Sequence, residues 1–98
     1  MTTTTNSVWA ANIDCPNSGG SINCIGTNND DRMAGTANVD VMAGLAGNDR
    51  MFGCARDDFM SGGVGNDIMS GGSGDDSMQG NGGNDNINGE SGDDVIQG

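Results

Sequence analysis

A nine-residue beat runs without insertion from Gly26 to Gln97, and it leaves few folds open. The units are GTNNDDRMA (26–34), GTANVDVMA (35–43), GLAGNDRMF (44–52), GCARDDFMS (53–61), GGVGNDIMS (62–70), GGSGDDSMQ (71–79), GNGGNDNIN (80–88) and GESGDDVIQ (89–97). Position 1 is Gly in all eight, and position 6 is Asp in all eight. Position 8 is Met in six, with Ile87 and Ile96 in the last two. Position 4 is Gly in five, the exceptions being Asn29, Asn38 and Arg56. Nine residues are too few for a helical hairpin repeat but enough for a six-residue turn and a three-residue strand. Side chains alternate along a strand. Met33, Met42, Met51, Met60, Met69, Met78, Ile87 and Ile96 therefore face inward, and positions 7 and 9 face water. Two units close one coil, so residues 26–97 make about four coils of an all-β parallel solenoid.

Such a coil has little to hold it together. The chain has two Phe, one Trp and no Tyr, and its nineteen Gly make ordering costly. Fourteen acidic residues against three basic ones leave a net charge of −11. Low hydrophobicity with that charge describes a disordered chain unless something outside the polypeptide stabilises it. The excess negative charge excludes nucleic acid and disfavours anionic membranes. No apolar run approaches a membrane span, and the N-terminus shows neither the basic nor the apolar region of a signal peptide. A multivalent cation is the natural partner.

The invariant aspartates say where it binds. Alternate repeats share an edge of the solenoid, so Asp31, Asp49, Asp67 and Asp85 form one column and Asp40, Asp58, Asp76 and Asp94 the other. Carboxylates roughly 5 Å apart repel unless a cation lies between them. Carboxylate and carbonyl oxygens without Cys or His donors select calcium over zinc or copper.

On these residues the chain resembles the RTX (repeats-in-toxin) family, whose unit is G-G-x-G-x-D-x-U-x with U a large apolar residue. The resemblance spans residues 26–97. It implies a right-handed parallel β-roll with several Ca2+ ions held between successive turns of each edge. It also implies ligands: the position 6 aspartates just named, and carbonyls of glycine-rich turns such as Gly62, Gly65, Gly71, Gly74, Gly80 and Gly83. Asp30, Asp57, Asp75 and Asp93 at position 5 are expected to face solvent or steady the turn. The N-terminal half departs from the pattern: Thr27, Thr36, Leu45 and Cys54 replace the second Gly, and Arg56 replaces the fourth. Burying eight Met or Ile side chains cannot offset the ordering of so many residues, so folding should require calcium.

Three segments follow: a tail or added strand (1–16), a degenerate repeat or N-terminal cap (17–25) and the roll itself (26–98). In "NSGGSINCI" (17–25) Cys24 falls at position 8, and Cys15, nine residues earlier, falls at position 8 as well. Both would point into the first coil. Facing sheets ~10 Å apart hinder a bridge between them, and the sequence leaves a disulfide and two buried thiols open. Cys54 lies in a turn and should be exposed. Trp9 in "TTTTNSVWAAN" either anchors the tail on a neighbour or belongs to a tail over its own first coil.

Only Gln97 and Gly98 follow Ile96, so the last coil has no cap. That favours head-to-tail stacking of copies. Four turns per edge leave three gaps each, hence six calcium sites in one copy, and a junction adds two more, bridging Asp85 and Asp94 to the first turns of the next copy. Val41, Phe59 and Val95 stand outward on one sheet, and Phe52, Ile68, Arg32 and Arg50 on the other. With no His and no nucleophile beside a base, catalysis is not expected. The reading is a calcium-binding structural protein that self-assembles into an extracellular filament. Its alternatives are a monomeric calcium-dependent folding module of a larger secreted protein, or a calcium-dependent adhesin domain.

Overall fold

A computed structural model describes residues 11–15 and 22–98. Among the described residues every regular element is a strand. One sheet holds β1 (Ala11–Asp14), β3 (Asp31–Ala34), β5 (Arg50–Phe52), β7 (Ile68–Ser73) and β9 (Asn86–Ser91), in that order. The other holds β2 (Ile22–Ile25), β4 (Asp40–Ala43), β6 (Phe59–Val64), β8 (Ser77–Gly82) and β10 (Val95–Gln97), likewise in order. All pairings are parallel. The chain alternates between sheets at every turn, which makes it a β-solenoid of about four coils. No helix among the described residues is long and apolar enough to cross a membrane.

Register keeps each repeat position stacked on itself. Met33 pairs with Met51, Met51 with Met69 and Met69 with Ile87, while Cys24, Met42, Met60, Met78 and Ile96 form the facing series. The core is therefore two facing columns made mainly of unbranched methionines, ended by Ile87 and Ile96, and the six methionines from Met33 to Met78 are at most 3 % exposed. Met suits this site because its flexible thioether fills a narrow, irregular interior. The outer faces are as the alternation dictates. Arg32 and Arg50 stack on one sheet, with the Arg32 guanidinium 5.4 Å from the Phe52 ring centroid, within cation–π range. Val41 and Phe59 stack on the other.

Two features differ from the sequence expectation. The strands are longer than three residues: β6 to β9 run on through the first positions of the next repeat. There the turn backbone continues the ladder, as in Val64 N–H donating to Leu45 O (2.8 Å). The other difference is the place of Cys15. Ala11–Asp14 pairs with Asp31–Ala34, so Ile13 lies beside Met33 at position 8 and Cys15 comes just beyond the strand. Having left the strand, the chain at Cys15 has begun to cross toward the other sheet. Its Cα lies 5.4 Å from that of Cys24, and the two form a disulfide. The spacing of facing sheets therefore does not apply, because only Cys24 stands on a strand. Both sulfurs close the end of the methionine core. Trp9 and most of the tail, with most of 17–25, lie outside the described residues.

Candidate metal centre

Each position 6 aspartate stands at the start of a strand or just before it, where the turn delivers the chain back to the sheet. Its carboxylate does not reach into solvent. Asp31, Asp40, Asp49, Asp58, Asp67 and Asp76 are each at most 2 % exposed. Along one edge Asp49 Oδ1 accepts the backbone N–H of Asp31 (2.8 Å), Asp67 that of Asp49 (2.8 Å) and Asp85 that of Asp67 (2.9 Å). On the other edge Asp58 accepts from Asp40, Asp76 from Asp58 and Asp94 from Asp76, all at 2.8 Å. Every such carboxylate reaches back one coil and ties two coils together.

The second oxygen is left over. Oδ2 of Asp49, Asp58, Asp67, Asp76 and Asp85 is buried without a hydrogen-bond partner. A buried, unpaired carboxylate oxygen is expensive. Burial pushes the Asp58 carboxyl up to about 7 and the Asp49 carboxyl up to about 6. The hydrogen bond from the preceding coil opposes this in each case, and the charges of column neighbours add to it. Asp67 and Asp76 are raised for the same first reason.

The turn is shaped around these oxygens. At position 1 the glycine provides space: a Cβ on Gly62, Gly71 or Gly80 would collide with Oδ2 of Asp67, Asp76 or Asp85 respectively. At position 4 it provides conformation. Gly65 has φ +133°, and a side chain there would run into the carbonyl of Gly47 one coil below. Gly74 and Gly83 repeat that approach onto Arg56 O and Gly65 O. The turn tolerates non-glycine residues in the left-handed region too: Leu45, Cys54, Arg56, Asn81 and Glu90 have φ between 70° and 86°. Residues at position 5 steady the turns from outside. Asp30 accepts the N–H of Asn48 (2.7 Å), Asn48 that of Asn66 and Asn66 that of Asn84 (both 2.8 Å). Asp57 and Asp75 serve the other edge in the same way.

Two sequence-assigned residues behave differently. Asp31 Oδ2 accepts the Thr27 N–H (2.6 Å), and the Thr27 hydroxyl donates to both carboxylate oxygens (2.8 and 3.0 Å). Thr36 closes Asp40 identically, its N–H at 2.6 Å and its hydroxyl at 3.0 and 3.3 Å. The strands that follow, β3 and β4, are also covered by β1 and β2. The first turns, which the expected junction would join to Asp85 and Asp94 of another copy, thus present closed carboxylates beneath an existing rung. Compared with the repeat, the threonines are only departures from glycine, yet a Thr four residues before each of these two Asp is a visible signal of the closure.

The arrangement suits a hard cation. Among the described residues no three His, Cys, Asp or Glu side chains converge. A site therefore draws on carboxylates of neighbouring coils along one column, and turn carbonyls must complete the six to eight oxygens calcium takes. Unpaired buried oxygens, closely stacked carbonyls and oxygen-only donors fit that ion. Cys54 adds no soft ligand: it is exposed, and its thiol is pushed up first by burial and then by Asp58 and Asp40, which keeps it protonated.

A parallel solenoid with a ladder of half-satisfied carboxylates along each edge is a cation-binding β-roll. The chain belongs to the RTX calcium-binding nonapeptide repeat family, whose model matches residues 25–53, 55–78 and 70–98. No curated protein and no solved structure gives a match to it.

Proposed function

We propose that this chain is a calcium-dependent structural protein: Ca2+ entering the aspartate columns folds the roll, and folded rolls stack head-to-tail outside the cell. The observation that carries the first half is the set of five buried Oδ2 atoms without partners, at Asp49, Asp58, Asp67, Asp76 and Asp85. A divalent ion supplies the missing partner and cancels the repulsion along each column. Asp94, half-buried on the last coil, continues the second column. Extracellular action follows from affinity, since modules of this kind fill at roughly 10⁻⁴–10⁻³ M calcium, which the cytosol does not provide.

Stacking rests on the asymmetry of the two ends. The N-terminal end carries the added rung of β1 and β2 with its disulfide. At the other end β9 and β10 have a neighbour on one side only, and Ile96, which stands at the core position, is 44 % exposed. Open strand edges above apolar surface invite another rung. A copy docked there would pair its β1 and β2 with β9 and β10, a heterologous contact that does not close and so extends. The same edge would accept a following coil in a longer chain, which is the folding-module reading.

Sedimentation velocity across a calcium titration, with a chelator control, separates these. An expanded monomer without calcium and large, chelator-reversible species with it are expected. A compact monomer at millimolar calcium removes the stacking and leaves the folding module. An unchanged sedimentation coefficient removes calcium-dependent folding altogether.

A further inference from the structure

The first coil departs from the others in two independent ways. Its two aspartates are the ones whose carboxylates the chain itself fills. Asp31 and Asp40 each accept three hydrogen bonds from a single threonine, whereas the five aspartates that follow them leave Oδ2 orphaned. The threonine is itself held, its hydroxyl oxygen accepting the N–H two residues on: Asn29 at 3.1 Å from Thr27, Asn38 at 3.0 Å from Thr36. The backbone differs as well. From Leu45 onward every turn contains residues in the left-handed region, but Thr27, Asn29, Thr36 and Asn38 do not adopt it. The first two turns are thus a separate conformation, wrapped onto the carboxylate instead of held open around it.

We infer that Thr27 and Thr36 stand in for the metal in the first coil, so that Asp31 and Asp40 bind no calcium and the coil beneath the disulfide rung is a metal-independent cap on which the calcium columns begin. This rests on the calcium reading above and refines it. The chemistry is a substitution of donors. An Asp oxygen in a dry gap needs either a cation or N–H and O–H groups, and charge-assisted hydrogen bonds to a carboxylate are among the stronger ones. With both oxygens occupied, binding an ion would first require breaking three bonds to Thr27 or Thr36. A repeat beginning Gly-Thr, with Asp four residues after the Thr, therefore marks a start of the roll, and one beginning Gly-Gly marks its metal-loaded interior.

Native mass spectrometry of the full chain at millimolar Ca2+ counts the ions. Asp31→Asn/Asp40→Asn should keep the wild-type count, while Asp67→Asn/Asp76→Asn should lose ions, because each of these carboxylates serves the gaps on both sides of it in its column. Loss of ions from the first variant overturns the inference. A wild type that binds no calcium instead overturns the underlying calcium reading. Hydrogen exchange on the wild type in chelator gives a check that no variant can spoil by misfolding. The amides of Thr27 and Thr36 should exchange at least about tenfold more slowly than those of the later turns. Equal rates would show that the first coil also needs the metal.

Discussion

Buried carboxylates without partners make an unusual prediction about acid. In calcium-free solution, lowering the pH should stabilise the roll, because a proton can neutralise what the metal otherwise would. Asp58 and Asp49 are raised from 3.8 to about 7 and about 6 in the folded chain. Between the unfolded and folded values the folded state binds more protons than the unfolded one, so stability falls as pH rises through this window. Each step of one in pH over which a group keeps its proton only when folded is worth ~1.4 kcal/mol, so between pH 7.5 and pH 5 the two groups together contribute about 4 kcal/mol. Asp67 and Asp76, raised in the same direction, add to this. The assay is folding of the calcium-free chain by an osmolyte, which strengthens burial, followed by circular dichroism at several pH values. The osmolyte midpoint should move down as pH falls from 7.5 to 5. A midpoint that stays put or rises would refute the burial of these carboxylates in a dry, unneutralised gap.

Other substitutions probe the turn, the core and the cap. Asp67→Asn keeps an acceptor for the Asp49 N–H but loses the anionic oxygen; at millimolar calcium it should cost roughly 1–3 kcal/mol of calcium-linked stability, read from denaturant midpoints with and without metal. Gly65→Ala, at φ +133° and against Gly47 O, should abolish calcium-induced folding seen by circular dichroism, whereas Ser73→Ala, on an exposed turn position, should fold as wild type does. Met51→Ala empties the middle of the core and should cost about 2–5 kcal/mol in urea unfolding at saturating calcium. Reducing Cys15–Cys24 should cost about 3 kcal/mol by loop-closure entropy, measured as the urea midpoint shift in reductant.

Much of the fold is legible because a strict period leaves one stacking. With Asp at every ninth place and Met two residues later, pairing of Met33 with Met51 and of Asp49 with Asp67 follows from the two-repeat coil. What stays hidden depends on where a side chain goes inside the turn. Nothing in the spacing shows that Asp49 Oδ1 reaches back to the N–H of Asp31, leaving Oδ2 alone. The Thr27–Asp31 and Thr36–Asp40 closures are hidden because a consensus treats threonine at position 2 as a missing glycine. Cys15 is misplaced for a different reason. Two extra residues precede the first repeat in register, so counting back by nine puts Cys15 where Ile13 stands, and only strand pairing reveals the slip.

The sulfur-lined interior also gives the metal a second office. Six thioethers, from Met33 to Met78, are shut from solvent only while the coils are closed. Methionine sulfoxide is polar, and once formed it would not re-enter so narrow a column. On the proposed calcium-dependent folding, calcium withdrawal in an oxidising setting would be more than a reversible opening: each interval spent unfolded would let peroxide reach the residues that must later repack. The cation would then act as an antioxidant too, and its concentration would set how long the chain remains able to fold again.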